Sequence, residues 1–192
     1  RETCTAWSLR IRDAGLIPEA DRSIRAGSQT LYDYFHDPEL PLAEIAEAAV
    51  KASSAKGEDL ETMKGYLRHS DSAIRYWGAT GLLVMGDEAR QAVPDLLAAL
   101  EDPFPNVAIV AAEAFYKLGE KEAALKALLD IMANQGEMAR CHALNVVDII
   151  GTDDPEMQET VRNMLASQPG AGREKYDLRM ARNLIAKWDN LH

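Results

Sequence analysis

Cysteine is nearly absent: Cys4 and Cys141 are the only two in 192 residues. Two thiols that far apart cannot build a disulfide framework or a zinc knuckle. Basic charge is in deficit as well, with 21 Lys and Arg against 31 Asp and Glu for a formal net charge of -10. A nonspecific nucleic-acid binder needs a positive footprint to displace counterions, and this chain carries the opposite field. Long apolar runs are missing: the longest, Val107 to Ala112, is far too short to cross a bilayer, so no membrane insertion is expected. No basic segment followed by an apolar stretch opens the chain, which argues against a signal peptide at its start. It begins at Arg1 rather than Met and reads as a piece of a longer protein.

β-Branched residues are scarce too. The chain holds 30 Ala and 21 Leu against 8 Val and 10 Ile. Ala and Leu head the helix scale, whereas strands favour β-branched side chains. No stretch alternates at period two, while Ile74, Trp77, Gly78, Gly81, Leu82 and Met85 form one stripe at helical spacing. With 47 % hydrophobic residues there is enough apolar material for a real core. An all-α fold is predicted.

Internal repetition is the stronger signal. Ile74–Gly86, Val107–Gly119 and Ala139–Gly151 align without gaps, and their closing glycines lie 33 and 32 residues apart. Each glycine falls where a helix would end, and glycine takes the left-handed C′ conformation without a Cβ clash. Ahead of each segment sits another amphipathic stretch: Leu60 to Leu67, Val93 to Leu100, and Ala124 to Met132. Pro94 suits a first helical turn, where its missing N–H costs nothing. The intervening turns, 69–72, 101–106 and 134–137, hold Asp, Ser, Asn and Pro, which stop one helix and cap the next. The unit is helix, short turn, helix.

Further units follow the same logic. Asp154-Pro155 caps a helix through Leu165, paired with Leu178–Trp188 across a longer loop at 168–172. Upstream, Leu42–Ser53 and Thr3–Ala14 read as single helices, and 15–41 as an irregular segment bearing Tyr32, Tyr34 and Phe35. The expected organisation is a junction region, 1–58, followed by repeats at 59–90, 91–119, 120–151 and 152–192.

The Leu-rich first helix, the Asp turn and the apolar-Arg pair resemble HEAT repeats, most fully at Asp71 and Ile74-Arg75. Arg140 and Arg179 take the comparable Arg slot, and Ala108 interrupts it. The period is shorter than the roughly 40 residues usual for HEAT units. Tetratricopeptide and ankyrin repeats share this period, but their signatures are not found. The resemblance implies a HEAT-like α-α superhelix, a solenoid of antiparallel helix pairs.

A second resemblance lies in particular words. Arg12-Asp13-Ala14-Gly15-Leu16-Ile17-Pro18-Glu19 looks like the segment after the catalytic domain of many bacterial sulfatases. Arg75-Tyr76-Trp77-Gly78-Ala79-Thr80-Gly81-Leu82-Leu83 is very similar to a helix of the HEAT-like tail that often follows there. The likeness implies a C-terminal module that packs on an upstream catalytic domain, shapes substrate access or mediates self-association. It also implies a periplasmic or extracellular setting. Sulfatase chemistry needs a Cys/Ser-x-Pro-x-Arg motif, oxidised to formylglycine beside a calcium ion. Cys4-Thr5-Ala6-Trp7-Ser8 lacks the Pro and the Arg, so formylglycine and calcium would belong to the upstream domain. No catalytic, cofactor-binding or metal-ligating residue is expected in this chain.

Interaction is the remaining chemistry. Arg75, Tyr76 and Trp77 have two readings. In one, Arg75 pairs with Asp71 or an adjacent turn and Trp77 fills a gap between repeats. In the other, Tyr76 and its neighbours face a partner domain or a sugar, since aromatic and Arg side chains are enriched at interface hot spots. Arg140 and His142 occupy the equivalent slots one helix pair beyond the middle repeat, and Tyr32, Tyr34 and Phe35 form a second aromatic cluster. Cys141-His142 is read as packing, because side chains at i and i+1 diverge on a helix. The alternative to a sulfatase module is a free-standing HEAT-like scaffold that recruits a protein partner.

Overall fold

Ala and Leu at 3.6-residue spacing make helices that are apolar on one side only, and such helices must pair to hide that side. The computed structural model describes residues 42–167 and 175–190 and shows this pairing. Tyr32, Tyr34, Phe35, the Thr3–Ala14 helix and the 168–172 loop lie outside the described residues. The chain divides into two units between residues 42 and 43.

Nine α-helices run through the described residues, and no strand. They are α1 (Leu42–Ala52), α2 (Leu60–Leu67), α3 (Ser72–Met85), α4 (Val93–Ala99), α5 (Pro105–Lys117), α6 (Lys121–Asn134), α7 (Glu137–Ile150), α8 (Pro155–Ala166) and α9 (Tyr176–Asp189). Four helix pairs result: α2 with α3, α4 with α5, α6 with α7, α8 with α9. The second helices also pack side by side, α3 on α5, α5 on α7 and α7 on α9. This is the predicted all-α solenoid of HEAT-like helix pairs.

One core runs through the stack. Met63, Leu82, Leu96, Ile109, Leu128, Leu144, Met157 and Leu184 are each almost wholly buried. They come from every helix of α2 to α9, so each pair is closed by its neighbours rather than by itself. Helix α5 is the most deeply set, with every residue from Val107 to Phe115 buried.

Local chemistry sets the turns. Asp71 caps α3, its Oδ1 accepting from the backbone N–H of Ala73 at 2.8 Å and of Ile74 at 3.3 Å. Asp154 caps α8 through Met157 N at 2.9 Å. The turn before α7 has no side-chain cap, and Gly136 takes the N-cap position there. All three closing glycines have positive φ, but only Gly151 is a left-handed cap, at φ 63 and ψ 35. Gly86 sits at φ 57 and ψ -128, and a 3-10 helix, Gly86–Ala92, follows.

Candidate functional site

Arg75 is tied into the stack. Its Nε and Nη2 donate to the two carboxylate oxygens of Asp102, at 2.6 and 3.0 Å, while Nη1 donates to the carbonyls of His69 at 3.0 Å and Ser70 at 2.8 Å. Asp71, the other partner considered, is occupied by its capping role. The Asp102 bond raises the Arg75 pKa, with burial opposing. The guanidinium also lies over the Phe104 ring at 5.6 Å. A planar fork held bidentate across two repeats is a fastener.

Arg140 repeats the device. Its Nε donates to Asp177 Oδ2 at 2.8 Å, Nη2 reaches the same oxygen at 2.6 Å, and Nη1 donates to Gln135 O at 2.8 Å. Asp177 is wholly buried. Arg179 departs from the slot it was aligned with: its guanidinium stacks on the Tyr176 ring at 5.1 Å. Ala108 leaves the middle repeat without an Arg fastener.

The other candidates meet on one face of the second helices. Tyr76 and Trp77 are half-buried and lie edge to face, ring centroids 5.4 Å apart and planes at 80°. His142 Nδ1 lies 3.1 Å from Asn106 Oδ1. Glu113 sits between them. It is 8 % exposed, and its Oε1 accepts from Lys117 Nζ at 2.7 Å. Burial pushes the Tyr76 pKa up, with Thr80 opposing and the Glu113 charge adding. Burial pushes His142 down, with the Glu113 charge opposing. One carboxylate therefore acts on side chains from both flanking helices.

Glu113 is absent from the candidates read in the sequence. Its signal was present: it is the one charged residue from Val107 to Phe115, with Lys117 four positions later. Thr80 and Asn145 hold the aligned positions in α3 and α7, so this column is polar throughout. The column one turn nearer the helix ends holds Val84, Lys117 and Ile149; Val84 is 49 % and Ile149 61 % exposed. Met138, a turn before His142, is 54 % exposed.

Cys141 and His142 have different neighbours. Burial and the charges of Asp177 and Glu137 push the Cys141 thiol pKa up, while His142 reaches Asn106 on α5. Among the described residues no group of three or more His, Cys, Asp or Glu could hold a metal ion, and no helix is long and apolar enough to cross a membrane.

A sequence profile of the family described as HEAT repeats matches residues 60–148, from α2 to the end of α7. No curated protein and no solved structure matches the chain. The matched residues contain Arg75, Arg140, Tyr76, Glu113 and His142, which supports a HEAT-like helical scaffold of the kind that commonly mediates protein interactions.

Proposed function

We propose that this chain is a non-catalytic helical-repeat module that receives another folded domain on the exposed face of its second helices. The observation carrying this reading is the placement of large side chains there. Tyr76, Trp77, Val84, Met138, His142 and Ile149 share that face and are only partly covered by the described residues. Leaving such side chains in water forgoes about 1.5–3 kcal/mol each relative to full burial, so a partner that covers several gains binding energy. The buried carboxylates, by contrast, are absorbed in caps and ion pairs that hold the stack together.

The partner we propose is the catalytic domain of a sulfatase-like hydrolase, for which this chain is the C-terminal part. The words at Arg12–Glu19 and Arg75–Leu83 support this finer reading. On it the module shapes substrate access or self-association. Its net charge of -10 opposes long-range attraction of a sulfated anion, so it is not the primary substrate-binding surface.

Two measurements test the reading. The purified chain is assayed against an aryl sulfate with and without calcium, and no turnover is expected. Turnover would overturn the non-catalytic reading. The reading frame upstream of Arg1 is then sequenced and is expected to encode a Cys/Ser-x-Pro-x-Arg motif. Its absence would overturn the sulfatase assignment and leave a free-standing scaffold.

A further inference from the structure

The edge of the second-helix face where α3, α5 and α7 end has a charge of its own. The three links that follow these helices, taken with the first residues of α6 and α8 as 86–92, 118–122 and 151–156, hold seven Asp and Glu against two basic residues. Three of the seven are engaged: Asp87 with Arg90, Glu88 with the Gly57 N–H, and Asp154 in its cap. Glu120, Glu122, Asp153 and Glu156 are exposed, and none makes an ion pair among the described residues. Glu122 and Glu156 stand in the first turns of α6 and α8, whose N-terminal N–H groups open on the same edge as the carbonyl ends of α5 and α7, so the helix ends add no net charge there.

Apolar side chains stand beside this charge. Val84 and Ile149 are the penultimate residues of α3 and α7, exposed at equivalent positions. Lys117 fills the position between them, but its ammonium is turned onto Glu113. The edge therefore presents two apolar footholds, a neutralised centre and a carboxylate rim.

We infer that this edge docks a cationic amphipathic segment of a partner protein, with apolar residues on Val84 and Ile149 and Lys or Arg on the rim. The inference rests on the module reading above and names the chemistry of the partner's contact. Neighbouring helices pack about 8–10 Å apart, so the two footholds are about 16–20 Å apart. A helix rising 1.5 Å per residue spans that in about 11–13 residues. A nucleic acid or a sulfated glycan carries the wrong sign for the rim, and a second copy of the chain would bring its own excess of carboxylates.

The test uses the full chain and two fluorescent 14-residue helical peptides that share one Leu stripe, one with a Lys polar face and one with a Glu polar face. Anisotropy at moderate salt is expected to show binding of the Lys peptide and none of the Glu peptide. The double variants Val84→Ser/Ile149→Ser and Glu120→Lys/Glu122→Lys are each expected to weaken binding at least tenfold. Glu44→Lys/Glu47→Lys on α1 serves as the charge control and is expected to change affinity less than twofold. Equal binding of both peptides, binding of neither, or equal losses in edge and control variants would overturn the inference. Binding of the upstream domain is measured in parallel. A chain that holds that domain but ignores the Lys peptide retires this inference alone, whereas failure to hold the domain retires the reading beneath it.

Discussion

Replacing Gly78 with Ala isolates the closeness of α2 and α3. In an exposed helix interior the change is favourable by about 0.5–1 kcal/mol, because glycine loses more backbone freedom on folding. At Gly78 an added Cβ would meet Leu67 N at 2.7 Å, Tyr66 Cβ at 2.9 Å and the Met63 carbonyl oxygen at 3.0 Å. Two of those atoms are backbone, so no rotamer change relieves the contact and the helices must separate. Overpacking of that kind costs about 1–3 kcal/mol, and immovable neighbours place it at the upper end. The net expectation is a loss of about 2 kcal/mol, lowering the urea midpoint by about 1 M at a slope near 2 kcal/mol/M. Gly65 on α2 is the internal control, since its Cβ would meet nothing within 4 Å. Gly65→Ala is expected to raise the midpoint while Gly78→Ala lowers it. Gly81→Ala falls between wild type and Gly78→Ala, because its closest neighbour is the side chain of Met63, which can move in part. A Gly78→Ala protein as stable as wild type would refute the close approach.

Asp102→Ala leaves Arg75 with two carbonyl partners but no carboxylate. Losing one member of a fully buried ion pair costs about 3–5 kcal/mol; this pair is part-buried and the carbonyl bonds survive, so a loss of about 2 is expected, read by urea unfolding; a loss under 1 would contradict the fastener role. His142 is held neutral by burial, so its pKa lies below that of the unfolded chain. Its contribution is full above the ordinary histidine value and is lost as pH falls through it toward the depressed folded value. Unfolding midpoints at pH 7.5 and 5.5 are therefore expected to differ less in His142→Gln than in wild type, and an unchanged difference would remove His142 from the acid response. Gly151→Ala is expected to cost about 1–2 kcal/mol, since φ 63 is left-handed while the space around it is open. Gly119→Ala, at φ 104, is expected to cost more by the same assay.

The helix pairs were legible because each obeys a local rule. Apolar residues at 3.6 spacing mark one face, a glycine marks the end, and the period repeats both. Boundaries moved by one to three residues, as for Leu178–Trp188, which is found as Tyr176–Asp189, and Ala124–Met132, which is found as Lys121–Asn134. The Gly86–Ala92 segment was missed for a physical reason. At three residues per turn Ala89 and Ala92 fall on one side, and both are wholly buried. That pattern is too short to register against a 3.6-residue template.

The site was less legible because its contacts cross repeats. Asp102 is 27 residues from Arg75, and Asp177 is 37 from Arg140, so the ladder of arginines appears in the sequence without its partners. Glu113 is harder still, since its burial is made by α3, α5 and α7 together. The departures from the repeat carry the information. Where its neighbours hold Arg75 and Arg140, the middle repeat has the buried Ala108 and so no fastener to the next unit. In its place α5 and α7 are joined there by the Asn106–His142 contact, beside the buried Glu113 that pairs with Lys117 on its own helix. A regular solenoid needs neither. The middle repeat gives up a fastener and buries a charge, and a recognition surface is the kind of gain that offsets such a cost.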